Sequence, residues 1–466
     1  MGLLPLGDSG SYFQHFPVVQ LTVGTSSSIA TTTAAGTREW LAFGSDFFPY
    51  TSGRDSSLTG EVEFVGYGIN STFLKYSDYD TSKDYKGKIV LVLHGTPGED
   101  DTSSIFSRNR IAGSPSAKRV YAQRSGAAAV LLIEETRGKP METAFNDHRD
   151  AMTRGLITIP QRIRTELPMF SISKKIADEL LRSSGHSVDE LQHTIDSTKR
   201  PMHFHLPAAR ATLNLKIRRE EKITENVIAV LPGSDSLLKN EYIFFTAHYD
   251  HIGRNTVTGE IYNGADDDGS GTCAVMEEAH AFAFMKERPK RSLVFMTVAG
   301  EEKGLLGSLY YTEHPIIPLE QTVADLNTDM IGRLDPEHET LHDTSYVYVI
   351  GADKLSSELD SISKCANDES VRLHLDYTYN DESNPQQFYR RSDHYNFAKK
   401  KIPIIFYFDG EHPDYHKPSD KVEKIDFPLF AKRTRLVFYT GWKVANAANR
   451  PAVDKEGFKT PTGQNR

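Results

Sequence analysis

The stretch Tyr242-Ile243-Phe244-Phe245-Thr246-Ala247-His248-Tyr249-Asp250 is an apolar run that ends abruptly in a histidine and an acid. A short buried strand reads this way, and its polar pair then falls at the strand exit. Next comes Asn263-Gly264-Ala265-Asp266-Asp267-Asp268-Gly269-Ser270-Gly271, three consecutive carboxylates at the mouth of a helix expected over 270–286. The pattern recurs downstream. A strand over 292–299 exits into Gly300-Glu301-Glu302, and one over 322–328 into Asp329-Met330. A strand over 403–408 leads into Tyr415-His416-Lys417-Pro418-Ser419-Asp420. Further strands are expected over 226–231 and 346–350, and helices over 304–312, 354–366, 393–400 and 428–447. Alternation of this kind specifies an α/β fold, a mixed, mainly parallel sheet sandwiched by helices. Function in such sheets gathers in the loops beyond the strand ends.

Taken singly, each segment has an ordinary reading: a surface histidine beside an acid, an acidic helix start that complements the dipole, a solvated loop. Together they do not, because isolated charges at five strand-end segments of one sheet cost stability without a cation to share. His248 is suited to ligate a metal while a nearby carboxylate takes the other imidazole N–H. Adjacent glutamates point in different directions, so one can bind metal while the other stays free as a general base. Two histidines with several carboxylates, one of them bridging, suit two divalent cations ~3.5–4 Å apart. Imidazole with carboxylate favours zinc. Spacing does not decide which of Asp266, Asp267 and Asp268 would bridge.

Composition narrows the field. A chain of 466 residues has material for two or three domains. The net charge of −9, without a Lys/Arg run, disfavours a nucleic-acid partner. The longest apolar runs, over 89–93, 127–133 and 402–408, are far shorter than the ~20 residues of a membrane helix. Two cysteines, Cys273 and Cys365, allow no disulfide framework and no thiolate zinc cluster. The N-terminus, Met1-Gly2-Leu3-Leu4-Pro5-Leu6-Gly7-Asp8, lacks the basic and apolar regions of a secretory signal.

Residues 58–205 read as a separate β-rich unit with a few helices. Strands are expected over 61–67, 89–93 and 127–133 and helices over 117–125 and 173–183, with no clustered ligand residues. The Ser/Thr/Ala/Gly-rich stretch over 26–37 reads as an exposed loop.

The segments His248-x-Asp250, Gly264-Ala265-Asp266-Asp267-Asp268-Gly269-Ser270-Gly271, Gly300-Glu301-Glu302, Asp329-Met330 and His416-x-Pro418-Ser419-Asp420 resemble the dizinc aminopeptidase family. That family includes bacterial leucine aminopeptidases, vacuolar aminopeptidase Y and glutamate carboxypeptidase II. The resemblance implies two zinc ions, one held by His248 and Asp329, the other by Glu302 and His416, with Asp267 bridging. It further implies Glu301 as general base and acid and Asp250 as the partner of His248. Val62-Glu63-Phe64-Val65-Gly66-Tyr67-Gly68, Tyr85-Lys86-Gly87-Lys88-Ile89-Val90 and Gly126-Ala127-Ala128-Ala129 are similar to an inserted protease-associated domain. The expected division is residues 1–57 and 206–450 as the catalytic domain, 58–205 as the insertion and 451–466 as a tail.

The expected activity is hydrolysis of N-terminal peptide bonds by a dizinc-bound hydroxide, with a peptide as the partner molecule. A carboxypeptidase of the same family, a one-zinc glutaminyl cyclase and a non-catalytic receptor are the alternatives. The cyclase does not need His248, and receptor-like relatives lose ligands, whereas this chain keeps all of them. The resemblance also implies export, although the chain as written carries no signal.

Overall fold

The computed structural model describes residues 2–32, 36–136 and 139–458. The chain forms two compact units, one from residues up to Val18 together with those from Lys222 onward, the other Val19–Glu221.

The first unit is built on a mixed sheet. Its strands run in the order Ile217–Leu231, Ser292–Val298, Tyr242–His248, Thr322–Thr328, Ile404–Phe408, Tyr346–Ile350, His374–Asp376. Ser292–Val298, Tyr242–His248, Thr322–Thr328 and Ile404–Phe408 are mutually parallel. Ile217–Leu231 and Tyr346–Ile350 flank this block in antiparallel pairings. The parallel strands are apolar on both faces because helices cover both. Consecutive side chains serve opposite faces, as the strand period of two requires. Phe244 joins a core with Val294, Met296, Tyr311 and Phe397. Phe245 joins one with Phe282, Phe295, Leu326 and Leu436. The second core is closed by helices Gly269–Phe284 and Phe427–Asn446. Four parallel strands therefore deliver their C-terminal ends to one edge, and every acid or histidine singled out above lies at or just beyond that edge. Most helix and strand limits fall within a few residues of expectation, but the strand expected over 226–231 begins at Ile217, and helix Pro336–Leu341 and the edge strand His374–Asp376 were not anticipated.

The second unit has its own eight-stranded sheet, in the order Arg38–Trp40, Ser28–Thr32, His203–Leu215, Ser56–Val65, Ile89–Leu93, Ala129–Ile133, Met169–Ile172, Phe47–Pro49. Phe64, Leu91, Leu131 and Phe170 pack on one face, and Val90, Val92, Val130 and Leu132 on the other. This unit is wider than the expected 58–205. The reason is long-range pairing: Ser28–Thr32 lies antiparallel against residues 210–214. The stretch 26–37, expected as an exposed loop, thus contains a strand with Ile29, Ala30 and Thr31 buried. Residues 33–35 of that stretch lie outside the described residues. Helices Met141–Arg154 and Val188–Thr198 were also unanticipated.

Of the expected tail, the described part returns to the first unit. Phe458 stacks on Tyr389 with ring centroids 4.0 Å apart, and the Gly457 N–H donates to the Lys354 carbonyl. Residues 459–466 lie outside the described residues. Among the described residues, no helix is long and apolar enough to cross a membrane.

Candidate metal centre

His248 is the last residue of its strand, and its side chain is 1% exposed. The ring tautomer is set by the main chain, since Nδ1 lies 2.9 Å from the Asp250 carbonyl oxygen. That leaves Nε2 facing inward, 3.3 Å from Asp267 Oδ1 and 3.6 Å from Asp329 Oδ1. The expected partnership of His248 with the Asp250 carboxylate is not what the structure has. That carboxylate is 3.8 Å from Nδ1 and instead accepts the Glu301 backbone N–H at 3.0 Å. A carbonyl two residues on already satisfies the ring, so the side chain is left for the neighbouring strand exit.

The acid loop distributes its three carboxylates among three tasks. Asp266 Oδ1 accepts the Gly332 N–H at 2.8 Å, and Oδ2 lies 3.2 Å from His412 Nε2. Asp268 accepts the backbone N–H groups of His248, Gly271 and Met330 at 3.0, 2.9 and 3.1 Å. The contact to Gly271 also caps helix Gly269–Phe284. At Gly271 a Cβ would meet the Thr328 carbonyl at 2.4 Å, so only glycine lets the helix start this close to the neighbouring strand. Asp267 alone shows one oxygen to each histidine, Oδ1 to His248 and Oδ2 to His416 Nε2 at 3.1 Å. The loop is held from behind by Asp420, which accepts the N–H groups of Asp266 and Asp267. Asp420 therefore braces the acid loop rather than orienting His416.

Glu302 Oε1 lies 3.2 Å from His416 Nε2. Glu301 turns the other way, its Oε2 3.9 Å from His248 Nε2, and its carboxylate accepts no hydrogen bond from the described residues. The five expected ligands and Glu301 are thus gathered at one strand-end site. His251, which the sequence reading passed over, joins them with Nδ1 3.0 Å from Glu302 Oε1. The only signal for it was its place three residues after His248, in a loop where periodicity carries no information.

The electrostatics suit a cation. Burial works against charge on Asp267, but contact with His248 and His416 outweighs it and holds the carboxyl below its usual range. Burial opposes ionisation of Glu302 as well, and contact with His251 and His416 lowers it overall. Burial pushes the Glu301 carboxyl well above its ordinary value; nearby Asp329 and Asp393 add to that and His248 opposes it. Burial also raises Asp250. His248 Nε2 and Glu302 Oε1 are buried and make no hydrogen bond. Donor atoms around one tetrahedral zinc lie about 3.3 Å apart, from metal–ligand distances of ~2.0 Å. The separations of 3.1 to 3.6 Å here match that spacing. Ligand-type atoms fall into two groups, His248 with Asp268 and Asp329, and His251 with Asp267 and Glu302, each within 4.8 Å. A third group, His338, Asp343 and His374, lies apart from this centre beside the edge strand.

Fold and donor set define an α/β protein with candidate cation sites at its strand ends. The pattern that defines Peptidase family M28 matches residues 226–441. A probable leucine aminopeptidase of Arthroderma benhamiae is 28% identical over 232 residues, covering 48% of this chain and 58% of that protein. A probable zinc metalloprotease of Pyrenophora teres is 27% identical over 259 residues, covering 48% of this chain and 52% of that protein. The chain thus spans little more than half the length of these curated relatives. Among solved structures, an aminopeptidase from an Aneurinibacillus species superposes with a TM-score of 0.54 at 18% identity, over 96% of this chain and 86% of that one. That likeness is one of fold.

Proposed function

We propose that this chain is a zinc-dependent aminopeptidase that removes N-terminal residues from peptides. The observation that carries the reading is Asp267, whose two oxygens face two different histidines. His248 and Asp329 would hold one zinc, Glu302 and His416 the other, and Asp267 would be common to both. Bound there, the ions would bring the pKa of a water toward neutrality and polarise the scissile carbonyl.

The remaining steps belong to the chain itself. Glu301 takes a proton from the attacking water and returns it to the leaving amine, a task that a carboxyl with a raised pKa performs well near neutral pH. Asp250 fixes the Glu301 backbone. The adjoining pocket is lined by Met330, Phe388, Phe406 and Phe408, with Arg391, Glu411 and Tyr415 around them. The aromatic residues of this lining offer apolar contact to a substrate side chain. Arg391 is paired with Glu411 at 2.7 Å and so is not free for a substrate carboxylate. The matched relative named a probable leucine aminopeptidase supports the amino end over the carboxyl end. Turnover of hydrophobic amino-acid anilides, lost when the α-amine is acetylated, is the expected result; cleavage of N-blocked acyl-amino acids instead would move the chain to the carboxypeptidases.

Residues 58–205, within the unit Val19–Glu221, are read as an inserted protease-associated domain with a role as lid, in specificity or in partner contact rather than in the chemistry.

A further inference from the structure

His251 leaves the same strand exit as His248, and its side chain is 9% exposed. Nδ1 is 3.0 Å from Glu302 Oε1 and 3.7 Å from Asp267 Oδ2. At such distances a histidine normally donates a hydrogen bond, yet neither ring nitrogen makes one, and Glu302 Oε1 accepts none. Distance without alignment is the same signature that His248 Nε2 shows toward Asp267 and Asp329. Hydrogen bonds need the proton to point at the acceptor. Two ligands of one ion need only point at the ion, and their mutual spacing of about 3.3 Å follows from the bond lengths.

The acid loop is shaped around this ring. Gly264, at φ +61°, sits so close that a Cβ there would be 2.6 Å from His251 Cγ and 2.8 Å from Cδ2. A side chain at position 264 would drive the imidazole off the carboxylates. The His251 and His416 rings meet edge to face, centroids 5.8 Å apart at 72°. Both therefore approach Asp267 and Glu302 without blocking each other.

We propose that His251 is a fourth protein ligand at the site formed by Asp267, Glu302 and His416. The inference rests on the zinc reading above and adds an asymmetry to it. Two imidazoles and two carboxylates make a closed set on this side, the arrangement of a tightly held zinc. The side of His248 and Asp329 has only the shared Asp267 in addition, and keeps the open position that chemistry requires.

The test is X-ray absorption of the fully zinc-loaded wild-type enzyme, with competitive zinc titration of wild type, His251→Gln and His416→Ala. The expected spectrum counts three imidazoles over two zinc ions, falling to two in His251→Gln. The tighter of the two affinities drops by more than about 100-fold in that variant, beyond what loss of an orienting neighbour produces. Two imidazoles over two ions in the wild type would overturn the proposal and leave the zinc reading standing. Failure of the wild type to bind zinc at all would instead overturn the zinc reading itself.

Discussion

The Asp250 carboxylate accepts the Glu301 backbone N–H at 3.0 Å, which ties the loop after strand Tyr242–His248 to the loop after Ser292–Val298. His248 takes its own orientation from the Asp250 carbonyl, which any residue at that position supplies. Asp250→Ala is therefore expected to lower kcat by roughly 10- to 100-fold through misplacement of Glu301, with zinc content unchanged. Loss of a zinc equivalent in that variant would return the carboxylate to the role of ligand partner.

Glu301 stands beside the donor set without a hydrogen bond from the described residues, and burial pushes its carboxyl well above its ordinary value. Glu301→Gln preserves shape and removes the proton carrier. Its kcat should fall by about 10²- to 10⁴-fold, while metal analysis finds wild-type content.

Glu411 neutralises Arg391 at the pocket rim. In Glu411→Ala the rim becomes cationic and repels a substrate ammonium. KM for free-amine anilides should rise about tenfold, equivalent to ~1.4 kcal/mol, with kcat little altered. An unchanged KM would place the α-amine elsewhere.

His394 is buried against Phe406, its Nε2 2.9 Å from the Tyr389 carbonyl, and burial lowers its pKa to about 3. The unfolded chain takes up this proton near pH 6.5, the folded chain only near 3. Between those values the unfolded state binds more protons, so stability rises with pH and is lost on acidification. The slope approaches 1.4 kcal/mol per pH unit, about one proton. The difference in unfolding free energy between metal-free wild type and His394→Gln, followed by denaturant from pH 4 to 6.5, should show that slope, because every other titrating group is common to both.

Much of the site was legible because parallel strands buried on both faces are short apolar runs. An acid or histidine within three residues after Ala247, Val298 or Thr328 then has to lie at a sheet edge. What remained hidden was set by three-dimensional direction. Nothing in Asp266-Asp267-Asp268 says which side chain turns toward both histidines, because the choice is made far along the chain, by the Asp420 carboxylate that accepts the Asp267 N–H and by the Met330 N–H that donates to Asp268. His251 was missed because it lies in an irregular loop, and the function of the Asp250 side chain because a main-chain carbonyl took its expected place. The strand Ser28–Thr32 is written in small residues, and only its pairing with residues 210–214 makes it a strand.

The central claim is that one aspartate serves two ions. Zinc content of the chain, measured by mass spectrometry after equilibrium dialysis at saturating zinc, tests it most directly when wild type is set beside Asp267→Ala. Two zinc ions per wild-type chain, with both sites weakened together in the variant, is the predicted result. A wild type that saturates at a single zinc, or a variant that keeps both ions at unchanged affinity, would contradict it.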